Sequence, residues 1–240
     1  MNLIELLTRG EIEVKGRLPY SSNYSFLCKV AEPESQSDSQ EELLAVYKPG
    51  SGERPLWDFP EGLYMREVAA YQLSNALGWD LVPETVLRSD GPFGEGSLQR
   101  FVDADFSFHY FILLEQPSFH DALRKVAVFD ILANNTDRKG GHLLLDSDER
   151  IWAIDNGLSF HRISKLRTVV WDFAGEPISE ELNREIERVA KSDPNIIGPL
   201  EPYLSGLEIE ALASRAQHLI DTGILPEIGE DERPFPWPLI

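Results

Sequence analysis

The sequence predicts an α+β fold in which an antiparallel sheet with one helix precedes a mainly helical half. Short runs typical of strands fill most of the first hundred residues and are interrupted by one helical stretch. Apolar residues at helical spacing dominate the rest. At 240 residues the chain can form one large domain or two parts that share a cleft. We expect two lobes, residues 1–103 and 104–240.

The first part reads β-β-β-α-β-β. Two strands are predicted within residues 11–30, in EIEVKGRL and YSFLCKV, and a third in LLAVYK. The acidic run 32–42 is expected to be a solvated loop. Residues 61–77 predict a helix, with Gly78 where a glycine commonly ends one. VPETVLR and GSLQRFV then predict two strands around the turn DGPFGEG.

The second part is predicted to be helical around one hairpin. Residues 121–134 read as a buried helix, and HLLLD with RIWAID as the hairpin. Two further helices are expected, one around 182–190 and one over 205–223, the latter opening with a capping box. Three prolines exclude a helix in the tail 229–240, so its aromatic residues pack either on the body or on a partner.

Composition limits the classes of function. A net charge of -19 disfavours nucleic acid and anionic lipid surfaces as partners. No stretch approaches the ~20 apolar residues that span a bilayer, and the start lacks the features of a signal peptide. The single cysteine, Cys28, fits a reducing compartment and is expected to be a small buried hydrophobe. We therefore expect a cytoplasmic protein.

The window 130–160 carries the strongest chemical signal. A buried helix leads into the polar loop NNTDR, and the second strand of the hairpin ends at DNG. Asp137 and Asp155 are thereby expected at the ends of rigid elements, on the same edge of the hairpin. Phosphoryl transfer needs one carboxylate to deprotonate the acceptor hydroxyl and another to hold the metal that bridges the nucleotide phosphates. Taken singly, both motifs are also good turn or capping sequences.

T-D-R followed by L-L-L, a strand and D-x-G resembles the catalytic and metal-binding loops of phosphatidylinositol 3-/4-kinases. HipA-type and Fam20-type kinases share this logic, and the chain most resembles a small, actinobacterial-type PI3/PI4-kinase-like family. The resemblance spans nearly the whole chain, with motifs in about four short windows. It implies a bilobal protein-kinase-like fold, with Asp137 as catalytic base and Asp155 as metal ligand.

The same resemblance assigns the nucleotide contacts. Lys48, at the end of AVYK, resembles the lysine that contacts the α- and β-phosphates. Glu67, 19 residues later on the predicted helix, resembles the glutamate that pairs with that lysine. Alone, each is typical of a solvated surface residue, and only their joint order favours the functional interpretation.

Two further segments would complete a nucleotide site. Gln99, Phe101 and Val102 fall where an interlobe hinge would meet adenine. Ser21 and Ser22 fall in the loop that would cover the phosphates. That loop lacks the glycine pattern of ordinary protein kinases, so backbone amides and hydroxyls would have to do its work.

One position departs from the family pattern. Five residues after Asp137, where the family has a metal-binding asparagine, stands His142. A neutral imidazole can ligate a divalent ion, although it suits manganese better than magnesium. Either His142 is a ligand with an altered metal preference, or only one metal site survives and transfer is weak or lost.

These observations predict an ATP-dependent phosphotransferase that uses Mg²⁺ or Mn²⁺ and acts on a protein or small-molecule hydroxyl. Because the chain is acidic, a membrane lipid is not the expected acceptor. The alternative is a pseudokinase that serves as a nucleotide-binding or interaction module; transfer of AMP instead of phosphate is a third possibility. Lys165 and Arg167, in the segment after Asp155, either meet a phosphate-bearing substrate or offset neighbouring carboxylates.

Overall fold

A computed structural model describes residues 2–19, 23–32, 43–229 and 233–240, and within them the α+β prediction is confirmed. The chain begins with a helix that the sequence interpretation missed, α1 (Leu3–Arg9). Its signal was present: Asn2 and Glu5 form a reciprocal capping box at its start. Except for Glu32, the predicted acidic loop 32–42 lies outside the described residues.

Five strands form one antiparallel sheet, in the order β1-β2-β3-β5-β4. The strands are β1 (Glu11–Arg17), β2 (Phe26–Ala31), β3 (Leu43–Pro49), β4 (Thr85–Gly91) and β5 (Gly94–Arg100). The predicted glycine-rich turn is tighter than expected, because β4 and β5 extend to within two residues of each other. β3 occupies the middle of the sheet, so Lys48 near its end is held between neighbours on both sides.

One helix, α2 (Leu63–Ala76), connects β3 to β4 and packs against β4 and β5. Gly78 follows it with φ +67°, in the left-handed conformation predicted for it. Buried residues of α2 join the larger of the hydrophobic cores, which is otherwise built by the second half of the chain. The helix that carries Glu67 is therefore anchored to both the sheet and the helical half.

The second half contains the remaining helices and a hairpin. They are α3 (Tyr110–Leu114), α4 (His120–Ala133), β6 (Leu143–Leu145), β7 (Ile151–Ala153), α5 (Glu180–Ala190), α6 (Pro194–Ile197) and α7 (Gly206–Thr222). The predicted helices corresponding to α4, α5 and α7 and the predicted hairpin are confirmed to within a few residues, whereas the short α3 and α6 were not predicted. None of the described helices is long and apolar enough to cross a membrane.

The C-terminal segment 233–240 lies on the body of the protein. The carbonyl of Pro234 accepts hydrogen bonds from the Thr168 amide at 2.9 Å and from the Trp171 indole at 3.0 Å. The carbonyl of Leu239 accepts from the Gly140 amide at 2.7 Å. The tail is thus bound to the body through its backbone, whereas Phe235, Trp237 and Ile240 remain 48%, 89% and 59% exposed.

Cys28 on β2 belongs to the smaller core beneath the sheet, as predicted. Its burial raises the pKa of the thiol to about 11. Because the reactive species is the thiolate, we expect Cys28 to resist alkylation in the native protein and to react fully once urea unfolds it. Labelling by iodoacetamide, followed by intact mass, measures this. Rapid labelling under native conditions would contradict the burial.

Candidate active site

Three side chains from distant parts of the sequence meet at the end of β3. The ammonium group of Lys48 forms an ion pair with Glu67 and lies 2.8 Å from Oδ1 of Asp155. The Glu67 side chain is 4% exposed, whereas that of Asp155 is 51% exposed. The resemblance predicted the pairing of Lys48 with Glu67, and the structure places Asp155 beside Lys48 as well.

The opposite charges in this group shift each other's pKa values towards the ionised forms. Burial alone would lower the pKa of Lys48, but Asp155 and Glu67 outweigh it and hold that pKa above its usual value. Lys48 in turn holds the pKa of Asp155 well below the ordinary range, and the lysine therefore stays protonated while the carboxyl stays ionised. The result is an anionic oxygen at a half-exposed position, with a fixed cation behind it.

The turn after β7, residues 155–157, contacts the side chain of Glu67. Asp155 has φ +58°, a left-handed conformation that few residues adopt at low cost. The Asn156 amide donates to Oε2 of Glu67 at 2.9 Å. A Cβ atom on Gly157 would lie 3.3 Å from Oε1 of Glu67, so glycine provides the necessary close approach. The D-N-G sequence therefore forms a turn and also contacts the Glu67 carboxylate.

Asp137 lies in the loop that joins α4 to the hairpin. Asn134 ends α4 with φ +50°, and the side-chain oxygen of Asn135 accepts the Asp137 amide at 2.9 Å. Oδ2 of Asp137 lies 2.5 Å from Nζ of Lys139. Burial raises the pKa of Asp137 above its ordinary value, Lys139 opposes the rise, and the charge on Asp155 adds to it. The charge on Asp155 thus disfavours ionisation of Asp137.

His142 also faces Asp155. Its Nε2 lies 3.4 Å from Oδ2 of Asp155, and its Nδ1 accepts the Lys139 amide at 3.4 Å. Burial lowers the pKa of His142 to about 4, so the ring is neutral near pH 7. Within the described parts of the chain, no group of three or more His, Cys, Asp or Glu side chains could hold a metal ion. Asp155 and His142 thus offer one carboxylate and one ring nitrogen, and a metal ion there would need further ligands from a bound molecule.

The residues predicted for the hinge lie at or just after the end of β5. The side chain of Gln99 donates to the Thr85 hydroxyl at 2.8 Å, and the Phe101 amide donates to the Leu44 carbonyl at 2.9 Å. Val102 packs with Leu144 and Trp152 of the hairpin in a small apolar cluster. Of the residues predicted for the hinge, Val102 therefore contacts the hairpin directly. Ser21 and Ser22 lie outside the described residues.

Of the two cationic residues predicted to matter after Asp155, Lys165 is paired through its side chain, whereas Arg167 forms hydrogen bonds through its backbone. Nζ of Lys165 contacts Asp58 at 3.0 Å, and burial of the pair favours the interpretation that Lys165 offsets a neighbouring carboxylate. Arg167 uses its backbone to hold the Asp137 loop: its amide donates to the Asn135 carbonyl at 2.9 Å and its carbonyl accepts from Arg138 at 3.0 Å.

Sequence reasoning missed a buried ion pair beneath this loop. Arg138 and Asp130 both have fully buried side chains and lie 3.0 Å apart. A signal was available, because Asp130 is a carboxylate in the middle of the apolar stretch VAVFDILA, and such a residue is seldom buried without a partner.

Solved structures share this fold at low sequence identity. The Golgi casein kinase matches with a TM-score of 0.59 at 14% identity, over 93% of this chain and 74% of that chain. A Golgi casein kinase structure with Mn/ADP bound matches with a TM-score of 0.57 at 13% identity, over 100% of this chain and 80% of that one. Hydra Fam20 with sugar matches with a TM-score of 0.57 at 13% identity, over 92% and 87%. The fold is therefore protein-kinase-like.

The family follows from a closer relative. The chain is 40% identical over 271 residues to Protein Rv2133c of Mycobacterium tuberculosis, covering 97% of this chain and 94% of that protein. It belongs to the same family as Protein Rv2133c. No family model matches the chain. The predicted likeness to Fam20-type kinases is confirmed at the level of the fold, and the phosphatidylinositol-kinase part remains a prediction.

Proposed function

We propose that this protein is an ATP-dependent phosphotransferase, with residues 1–103 and 104–240 acting as two lobes around a nucleotide cleft. The observation that carries the proposal is the convergence of Lys48, Glu67 and Asp155. They come from β3, α2 and the end of the hairpin, and Lys48 joins them by an ion pair with each of the two carboxylates. A likeness in fold to kinases, one of them with Mn/ADP bound, agrees with this function.

Lys48 and Glu67 would position the nucleotide phosphates. Glu67 is held by the Asn156 amide, so it can orient Lys48 without itself moving. Val102 and Leu144 would supply an apolar surface for adenine, since they pack together where the sheet meets the hairpin. The Phe101 amide is already bonded to Leu44, so we assign the hinge contact to Val102. Ser21 and Ser22 remain our candidates for covering the phosphates.

Asp155, with His142, would hold the divalent ion. Two protein ligands are sufficient for Mg²⁺ or Mn²⁺ when nucleotide phosphates complete the coordination. When bound, such an ion neutralises charge that develops on the phosphates during transfer. Asp155 is ionised and half-exposed, which fits this role. Binding of the nucleotide would draw Lys48 from Asp155 towards the phosphates.

Asp137 would accept the proton of the acceptor hydroxyl. The hydroxyl oxygen forms a bond to the γ-phosphorus, the bond to the β–γ bridging oxygen breaks, ADP leaves, and the proton passes to Asp137. Burial raises the pKa of Asp137, which makes it a stronger base than an exposed aspartate. Lys139, 2.5 Å from Asp137 in the free protein, is placed to meet the transferred group.

The acceptor we propose is a protein or small-molecule hydroxyl, met in the cytoplasm. A net charge of -19 opposes approach to anionic membranes. The ion pair of Lys165 with Asp58 also weakens the case for a basic headgroup-binding segment.

Thermal unfolding with ATP tests the nucleotide site. A ligand at a hundredfold excess over its dissociation constant stabilises the folded state by about 2.7 kcal/mol. We expect ATP with Mg²⁺ or Mn²⁺ to raise the melting temperature of the wild type, and Asp155→Ala to abolish the metal-dependent part. Asp148→Ala, at the exposed tip of the same hairpin, is the matched control and should behave as wild type. A metal-dependent shift that survives in Asp155→Ala would refute the assigned ligand.

A second candidate, a nucleotide-binding module without transfer activity, is favoured by one observation. Nδ1 of His142 accepts the Lys139 amide, an arrangement that leaves the ring proton on Nε2, the atom facing Asp155. In this tautomer Nε2 donates to Asp155, and ligation by His142 would require the other tautomer. Incubation with γ-labelled ATP distinguishes the two candidates, because a binding module without transfer activity gives no labelled product with any acceptor. Incubation with α-labelled ATP would reveal transfer of AMP instead.

Replacing His142 tests its contribution directly. His142→Asn supplies the amide oxygen of the family pattern, which suits Mg²⁺ better than imidazole does. We expect the ratio of apparent Mn²⁺ to Mg²⁺ affinity, measured by titration in the presence of ADP, to fall about tenfold. His161→Asn is the control for loss of an imidazole elsewhere. An unchanged ratio in His142→Asn would exclude His142 from the metal site.

A further inference from the structure

Arg138, immediately after Asp137, uses its whole guanidinium group inside the protein. Nε lies 3.1 and 3.2 Å from the two carboxylate oxygens of Asp130, and Nη1 donates to the Ile154 carbonyl at 2.6 Å. Nη2 donates to the side-chain oxygen of Asn156 at 2.6 Å. One side chain thus connects α4 to both neighbours of Asp155, to the backbone of Ile154 and to the side chain of Asn156.

Asn156 extends this connection to the sheet. While its side-chain oxygen accepts from Arg138, its backbone amide donates to Oε2 of Glu67, which pairs with Lys48. An unbroken series of hydrogen bonds and ion pairs therefore runs from Asp130 on α4 to Lys48 on β3. It passes behind Asp155 without using that carboxylate, whose half-exposed oxygens face Lys48 and His142 instead.

Thr168 joins the same network from the segment after Asp155. Its hydroxyl donates to Oδ2 of Asp130 at 2.9 Å and accepts the Val170 amide at 3.0 Å. On either side of Thr168, the Arg138 amide donates to the Arg167 carbonyl, and the Arg138 carbonyl accepts from the Val169 amide at 3.1 Å. These two bonds form a short parallel bridge between Arg138 and Thr168. The segment 167–169 is therefore held to the Asp137 loop by backbone and to α4 by a side chain.

We propose that Arg138 is a positioning residue that fixes Asp137 and Asp155 relative to each other. The Thr168 hydroxyl connects the backbone segment 167–169 to this arrangement. This role of Arg138 rests on the proposed function. Burying an ion pair costs several kcal/mol of desolvation per ion and often stabilises no more than apolar packing of the same volume. A fully buried Asp130–Arg138 pair is therefore better explained by the geometry that it imposes. The planar fork of arginine can hold three acceptors in fixed directions, which lysine cannot.

Replacing Thr168 tests the proposal with a small change in side-chain shape. Thr168→Val keeps the shape and removes the hydroxyl, whereas Thr168→Ser keeps the hydroxyl and should rescue. Amide hydrogen exchange reports on the Arg138 and Asn156 amides, whose acceptors are Arg167 and Glu67. We expect both to exchange about tenfold faster in Thr168→Val, the effect of losing one hydrogen bond to a charged group, and at wild-type rates in Thr168→Ser.

Two results of this experiment would overturn the inference. Faster exchange confined to the amides of residues 168–170 would show that Thr168 has a local role only. Equal acceleration of the amides of β3 would show a global loss of stability instead of coupling to the site. Neither result depends on whether the protein transfers phosphate.

Kinetics separates positioning from binding in the same variants. If the proposed function holds, Thr168→Val should lower kcat about tenfold and leave KM for ATP unchanged, with Thr168→Ser near wild type. A higher KM with unchanged kcat would contradict positioning of Asp137. A wild type without transfer activity would count against the proposed function alone, because hydrogen exchange still decides whether Arg138 and Thr168 are coupled.

Discussion

Replacing Asp137 with asparagine is expected to reduce phosphoryl transfer by about 10²- to 10⁴-fold, the usual contribution of a positioned general base. The substitution keeps the size of the side chain and removes its ability to accept a proton. Because Lys48 and Asp155 are untouched, the affinity for ATP with Mn²⁺ should remain that of the wild type. Label transfer from γ-labelled ATP and a thermal melt with the nucleotide measure the two quantities separately.

The pH dependence gives a second signature of the same residue. Asp137 acts as a base only when ionised, so wild-type kcat/KM should rise with pH through the pKa of Asp137, which burial raises. This acidic limb should disappear from the residual activity of Asp137→Asn. Asp148→Asn, a carboxylate-to-amide change in the exposed hairpin turn, should keep both the rate and the limb. Loss of nucleotide binding in a folded Asp137→Asn protein would instead assign Asp137 to the nucleotide or the metal.

Much of the fold could be predicted because its patterns are local. Alternating strands, the α2 and α7 boundaries and the β6–β7 hairpin each depend on residues close in sequence. The short helices α3 and α6 have too few residues to show a period, and α1 is signalled only by a capping box that is common elsewhere. Their existence depends on packing, which no local pattern records.

The candidate site, like the fold, could be predicted only in part from the sequence. Lys48, Glu67 and Asp155 could be predicted because their order and spacing resemble a known pattern, and the structure brings them together. Arg138 and Asn156 could not, because an arginine in a polar loop is normally solvated and only the tertiary structure shows this one fully buried. The role of each remains a proposal, since proximity does not demonstrate chemistry.

Replacing Asp130 with asparagine is expected to have the largest effect on stability. The change leaves Arg138 as an uncompensated charge in the interior, and breaking a buried pair in this way typically costs about 3–5 kcal/mol of unfolding free energy. Urea denaturation at neutral pH measures the loss. Glu187→Gln is the matched control: it breaks the exposed i,i+4 pair with Lys191, and it should change stability little because solvent screens that pair.

A double-mutant cycle with Arg138→Met distinguishes the ion pair from the wider network. If the two side chains act mainly on each other, the double variant should be less destabilised than the sum of the single variants by a coupling energy of roughly 1–3 kcal/mol. The double variant should still fall below wild type, since Ile154 and Asn156 lose the donors that Arg138 gave them. Additive effects would mean that Asp130 and Arg138 stabilise the fold independently, and the geometric role assigned to their contact would have no energetic basis.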